Sequence, residues 1–176
     1  MAAADLTAAR LREMLNYDET TGKFTWRRRA REEFPDARAW KIWNTRYAET
    51  KAGSFQITLG YIAIRLLGFT YRAHRLAWLY KHGHWPFVVD HINGVRHDNR
   101  LCNLREATAS LNNQNRHQSS GKTGVVGVSP CPNGFVAYIT VNGRQKRIGQ
   151  FPTVEMARSA YVAEKRKHHP GFSQTA

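Results

Sequence analysis

The chain is 176 residues long, enough for one ordinary domain or two small ones, and 41% of it is hydrophobic, enough to bury a core. Lys and Arg number 27 against 13 acidic residues, a formal charge of +14 that suits a polyanionic partner, because each phosphate neutralised releases counterions. No apolar run reaches about 18 residues, no long basic amphipathic helix is evident, and Cys102 and Cys131 form no C-x-x-C pair, which argues against a membrane span, a membrane-surface anchor, a disulfide framework and a structural zinc site.

Along the chain, residues 5–16 read as a short helix, since Leu6, Leu11 and Leu15 recur at near-helical spacing and Asp5 or Thr7 can cap the start. Residues 17–22 make a turn, and 23–26 alternate as a strand. Arg27, Arg28 and Arg29 open a basic run that serves either as a backbone-phosphate contact or as a solvated loop. Residues 32–52 show no clear period; Trp40 and Trp43 ask for packing, with stacking on bases as the other use. From Gly53 the pattern sharpens: 60–66 alternates as a strand, 67–69 turns, and 70–73 returns as a second strand. Residues 74–83 read as a helix in which Leu76, Leu79 and Tyr80 share a face and Gly83 supplies the C-terminal stop. A short apolar strand, 87–89, delivers Asp90 and His91 at its end. Asn93 with Gly94, and Asp98 with Asn99, are polar corners. Thr108 caps a further helix that holds Asn112 on a rigid element.

The chemistry concentrates between Asp90 and Asn112. A carboxylate and an imidazole are adjacent at 90 and 91, Asn103 follows twelve positions after His91, and Asn112 nine after that. Carboxylate and amide oxygens are hard ligands suited to Mg²⁺ or a similar ion. A neighbouring imidazole can take a proton from water near neutral pH. Beside a phosphodiester these are the parts of metal-assisted hydrolysis. The constellation of 89–94, 98–105 and Asn112, with HRLAW at 74–78 upstream, resembles the HNH endonuclease family, in particular its phage and intron homing-type branch.

This resemblance covers residues 53–116 and implies a ββα-metal fold, in which a hairpin and a helix clasp one divalent ion. It implies His91 as the general base, Asp90 and Asn112 as metal ligands, and Asn103 as the residue that bonds locally to hold the loop and orient His91. An Asn at the third motif position, often His in the family, leaves an oxygen ligand and favours Mg²⁺, with Mn²⁺ as the other candidate, over Zn²⁺. The implied products carry a 5′-phosphate and a 3′-hydroxyl. Asn93, Asp98 and Asn99 read as turn-formers, His74 as a helix start or a substrate contact, and His82, His84 and His97 take no role.

Residues 117–123 (HQSSGKT) read as a linker. Beyond it, strands at 125–128, 135–141 and 146–151, a turn at Asn142 and Gly143, and a helix over 153–167 make three antiparallel strands covered by one helix. Met156, Ala157, Ala160, Tyr161 and Ala163 give that helix its apolar side, and the tail, 169–176, is expected to be disordered. Residues 124–168 resemble the AP2 DNA-binding domain in Gly127, Val128, Pro132, Gly134, Phe135, Ala137, Ile139, the run RIGQF at 147–151, Ala157, Ala160 and Tyr161. The resemblance implies a sheet lying in the major groove with the helix behind it. It departs at the first strand, where Val126, Ser129 and Cys131 stand in place of arginines, so no sequence preference carries over. Ser129, Tyr138, Thr140, Arg144, Lys146 and Arg147 are the candidate DNA contacts.

The expectation is an α+β chain: a 1–52 extension joined to the nuclease module, a nuclease domain at 53–116, a linker, and a DNA-binding domain at 124–168. It acts on double-stranded DNA at specific or semi-specific sites with one divalent cation and no membrane partner. The alternative is a non-catalytic DNA-binding regulator or packaging accessory with the same folds; RNA cleavage is a weaker third. A monomer is the preferred state; with one metal a monomer would nick, whereas a dimer could break both strands, and the sequence leaves the two open. Lone thiols and the lack of a charged-then-apolar leader point to an intracellular location, and the resemblance points to a phage or mobile element in a bacterial host.

Overall fold

The computed structural model describes residues 6–115, 122–169 and Phe172, a mixed α+β chain built on small antiparallel sheets. The chain divides into two units, 1–91 with 95–106, and 92–94 with 107–176. Among the described residues no helix is long and apolar enough to cross a membrane.

In the first unit, α1 (Ala8–Met14) starts where the Thr7 hydroxyl accepts the Arg10 N–H at 3.2 Å. It is shorter than the leucine spacing predicts. The backbone extends at Leu15, and β1 (Leu15–Asp18) follows at once with Leu15 and Tyr17 turned inward. Over so few residues a period of two and one of 3.6 look alike. β1 pairs with β2 (Lys23–Trp26), Leu15 opposite Trp26 and Asp18 opposite Lys23. In the turn, the Asp18 carboxylate accepts the hydroxyls of Thr20 and Thr21 and the Thr20 N–H, which pulls its pKa down to about 2.

The stretch without a clear period folds as α2 (Ala37–Tyr47), capped by Asp36, whose carboxylate accepts the Ala39 N–H at 2.7 Å. Trp43 packs among Trp26, Phe34 and Tyr47, and Trp40 donates to the Arg29 carbonyl, so both tryptophans serve the packing of this unit.

β3 (Ser54–Gln56), β4 (Tyr61–Leu66) and β5 (Phe69–Arg72) form an antiparallel sheet in that order. α3 (Ala73–His82) follows, closed by Gly83 in the left-handed region at φ 82°. β6 (Val89–His91) then pairs with β7 (Leu104–Glu106): Val89 faces Glu106, Asp90 faces Arg105 and His91 faces Leu104. The apolar run predicts a strand at 87–89 that delivers Asp90 and His91 at its end; the ladder instead spans Val89–His91 and so fixes the backbone of both. One core runs from Leu6, Leu11 and Leu15 through Ile64, Leu76 and Leu79 to Val89 and Leu104. The N-terminal segment therefore shares the apolar support beneath β6.

In the second unit, Thr108 caps α4 (Ala109–Gln114) by accepting the Leu111 N–H at 3.1 Å. β8 (Val128–Cys131), β9 (Gly134–Val141) and β10 (Arg144–Phe151) form an antiparallel sheet with β9 in the middle. α5 (Val154–His168) lies on it, Ala157 and Tyr161 against Val128, Ala137 and Ile139. The apolar run at 125–128 predicts the first strand there, yet it starts only at Val128. Gly127 explains the shift: at φ 74°, and with a Cβ that would overlap the Tyr161 ring, the chain bends beneath that ring instead of running extended. The expected linker lies outside the described residues except for Lys122 and Thr123, and so does the expected tail except for His169 and Phe172.

Candidate active site and nucleic-acid interface

Consecutive strand residues point to opposite sides, so Asp90 and His91 meet different surroundings although each is only 5% exposed. Asp90 meets its ladder partner: Arg105 donates from Nε and Nη2 to Asp90 Oδ2 at 3.0 and 2.7 Å. A buried carboxylate needs such a partner, because an uncompensated charge is costly in the interior.

His91 faces Asn99, His74 and Tyr61. Its Nε2 lies 3.3 Å from Asn99 Oδ1. An amide oxygen only accepts, so Nε2 carries the proton and Nδ1 is the basic nitrogen. Burial pushes the His91 pKa down, against the Asn99 hydrogen bond and the Asp90 charge, which push it up. His74, in the first turn of α3, sets its ring 4.8 Å from that of His91 at 76°. It too is 5% exposed, and its Nδ1 has no hydrogen-bond partner among the described residues. Burial first, then the charge of a protonated His91, pulls the His74 pKa to about 3. Both rings are neutral at pH 7, the state a proton acceptor needs.

The loop over 98–103 that presents Asn99 is braced from several sides. Asn103 donates from Nδ2 to the Asp98 carbonyl at 2.8 Å, and Asp98 pairs with Arg100 at 2.6 Å. From the β1–β2 hairpin, the Tyr17 hydroxyl donates to the Asn99 carbonyl at 2.7 Å, and Leu101 N–H donates to the Glu19 carbonyl at 3.0 Å. Gly22 allows this contact: at φ 69°, any Cβ would overlap the Asn99 and Arg100 backbone. Asn103 thus ties the loop to itself, while the amide that reaches His91 belongs to Asn99, 2% exposed. Sequence pattern assigns Asn99 to a turn. Two amides four positions apart in a loop have no period to separate them, and only the fold shows which of the two, both buried, reaches His91.

Asn112 is an exposed residue of α4, in the second unit. In that same unit, buried Asn115 donates from Nδ2 to the Ile92 carbonyl at 3.2 Å, which ties the end of α4 to residues 92–94. Among the described residues no three His, Cys, Asp or Glu side chains gather around one point. A carboxylate such as that of Asp90 and an amide oxygen such as that of Asn112 are each the kind of donor that a hard divalent ion takes, with water completing its shell.

Of the N-terminal arginines, Arg27 and Arg28 are exposed, and Arg27 donates from Nη1 to the Arg12 carbonyl at 2.8 Å. Arg29 pairs with Glu33 at 2.7 Å and stacks over Phe34 and Trp43, so its charge is used inside the unit. On the C-terminal sheet, cross-strand partners share a face. Ala137, Ile139 and Val141 pack toward α5, while Tyr138 and Thr140 point away. Arg147, opposite Tyr138, and Ser129, opposite Val136, lie on the outward face with them. Lys146, opposite Ile139, and Arg144, opposite Val141, fall on the helix side, and Lys146 Nζ is 3.9 Å from Glu164 of α5.

Residues 71–114 match the HNH endonuclease family. An uncharacterized HNH endonuclease of Acanthamoeba polyphaga mimivirus is 38% identical over 73 residues, 42% of this chain and 38% of that protein, so the chain spans well under half of the relative's length. No solved structure matches the chain. The matched segment holds β6, the 98–103 loop, β7 and α4, and with them Asp90, His91, Asn99, Asn103 and Asn112, with the buried His91 at its centre.

Proposed function

We propose that the chain is a metal-dependent DNA endonuclease of the HNH type that hydrolyses phosphodiester bonds to leave 5′-phosphate and 3′-hydroxyl ends. The observation that carries this reading is the state of His91. It is a buried imidazole with Nε2 engaged by Asn99 and Nδ1 as the basic nitrogen, adjacent on β6 to a buried carboxylate, inside the segment that matches HNH endonucleases.

In this reading Asp90 and Asn112 hold one hard divalent cation, Mg²⁺ or Mn²⁺, which when bound would stabilise the negative charge growing on the phosphate and the leaving 3′ oxygen. His91 takes a proton from water at Nδ1, and the water oxygen bonds to phosphorus as the bond to the 3′ oxygen breaks. Asn99 holds the ring in the tautomer that keeps Nδ1 basic. Arg105 orients the Asp90 carboxylate, and Asn103 closes the loop that presents Asn99. The outward face of the C-terminal sheet, with Ser129, Tyr138, Thr140 and Arg147, supports an AP2-like role in holding duplex DNA. Arg27, Arg28, Arg144 and Lys146 are assigned to backbone phosphate, which adds affinity without sequence information.

The test is nicking of supercoiled plasmid. His91→Ala abolishes nicking in Mg²⁺ and leaves gel-shift affinity for duplex DNA nearly unchanged. A wild-type protein that binds duplex but cuts nothing in Mg²⁺ or Mn²⁺ leaves only the reading of a DNA-binding regulator or packaging accessory.

A further inference from the structure

Beside His91 lies a cluster with no role so far. The ring of Tyr61, the first residue of β4, is 5.1 Å from that of His74 and 6.0 Å from that of His91. Two guanidinium groups stack on this one ring. Arg72, at the end of β5, lies 4.6 Å from its centroid, and Arg96, in the loop after β6, lies 5.4 Å from it. Arg96 is further anchored by donating from Nη1 to the Leu59 carbonyl at 3.2 Å. Arg10, Arg29, Arg100 and Arg105 of the same unit each hold a carboxylate. Among the described residues, Arg72 and Arg96 hold none.

Two like charges gathered on one ring repel each other, and the ring's negative face offsets only part of that. Both side chains are exposed, so an incoming group can reach them. Arginine suits the task because its planar fork can stack on an aromatic face and still present N–H groups to phosphate oxygens. Uncompensated positive charge, a rigid mount and open access next to a proton acceptor together describe an anion site. We propose that Tyr61, Arg72 and Arg96 bind a backbone phosphodiester of the DNA strand that is cut, beside the phosphate that His91 serves. Which strand it binds rests on the endonuclease reading; the anion chemistry does not.

The experiment follows binding of a fluorescent duplex by anisotropy in EDTA, where no cutting interferes, over a series of salt concentrations. Each phosphate contact contributes roughly 0.9 to the slope of log affinity against log salt, so loss of this one contact in Arg72→Gln with Arg96→Gln is expected to make the slope shallower by about 0.9, alike on unrelated duplexes. Arg72→Lys with Arg96→Lys keeps the charge and is expected to keep the slope. A Gln double variant with the wild-type slope overturns the proposal. So does a Lys double variant that loses the slope equally, since the effect would then come from disturbed folding. Plasmid nicking in Mg²⁺ is read separately. A wild type that nicks, combined with an unchanged Gln slope, removes the phosphate site alone; a wild type that never nicks, combined with a shallower Gln slope, removes the endonuclease reading alone.

Discussion

Replacing Gly22 by alanine puts a methyl group where the β1–β2 turn touches the 98–103 loop. The new Cβ would overlap the Asn99 carbonyl carbon and the Arg100 nitrogen and lie 2.9 Å from the Asn99 oxygen, all main-chain atoms that cannot rotate aside. Restoring the ~3.5 Å that such atoms prefer moves the loop by about 1 Å. A shift of that size carries Asn99 Oδ1, now 3.3 Å from His91 Nε2, beyond hydrogen-bonding range. The left-handed backbone costs alanine about 1–2 kcal/mol, and the lost hydrogen bond about 1 kcal/mol more. A reacting group displaced by about 1 Å loses roughly 100-fold in rate. The expected result is therefore a folded protein, less stable by about 2–3 kcal/mol, that nicks plasmid about 100-fold more slowly. Stability is read from urea unfolding by tryptophan fluorescence, since all five tryptophans lie in the first unit. A Gly22→Ala protein that is folded and nicks at the wild-type rate refutes the idea that the N-terminal hairpin positions the loop behind His91.

Two further outcomes follow from burial. The His74 pKa of about 3, against an ordinary 6.5, means that the folded chain resists a proton the unfolded chain accepts. The contribution is fully present above pH 6.5 and is lost as pH falls toward 3; by pH 4.5 the loss is about 2.5 kcal/mol. His74→Phe keeps a ring and cannot be protonated, so urea unfolding should show the wild type losing about 2.5 kcal/mol relative to the variant between pH 7 and pH 4.5; a constant gap counts against a neutral buried imidazole. In the second unit, Gly127→Ala drives a methyl into the Tyr161 ring and the Tyr138 carbonyl. Strain and overpacking together cost about 3 kcal/mol, which should speed amide exchange in β9 by roughly 100-fold while the tryptophan-reported transition stays put; unchanged exchange removes the packing account of Gly127.

Periodicity reveals the elements that repeat over many positions. α3, α5 and the β9–β10 hairpin can all be read from residue order to within a residue or two. α2 cannot, because its only fully buried residue is Asn44, and its tryptophans pack sideways onto neighbours instead of forming an apolar stripe. The site divides in the same way. Asp90 and His91 announce themselves as residue types at a telling spacing. Their partners do not. Arg105 reaches Asp90 only because β6 pairs with β7 in one register. Arg72 and Arg96 are 24 positions apart and meet only at the Tyr61 ring. Such contacts depend on where loops close, and closure leaves no local trace in composition or period.

The C-terminal sheet marks the opposite limit, where more was written in the chain than residue type alone extracts. Choosing its DNA contacts as polar or basic residues mixes two faces. Yet Asn142 and Gly143 both take positive φ, 52° and 77°, in the tight turn that this dipeptide favours. A two-residue turn fixes the register of its strands, here Arg144 opposite Val141 and each residue as far as Arg147 one step further back along β9, before a bulge brings Gly149 opposite Ala137. From that register alone Lys146 pairs with Ile139 and Arg147 with Tyr138. Ile139 is an apolar residue in a run that must bury one side, so its partner Lys146 shares the helix-facing surface, and Arg147 shares the surface that Tyr138 and Thr140 turn outward. Register therefore sorts these two neighbouring cations, and it predicts that Arg147 contributes to duplex binding where Lys146, next to Glu164, contributes less.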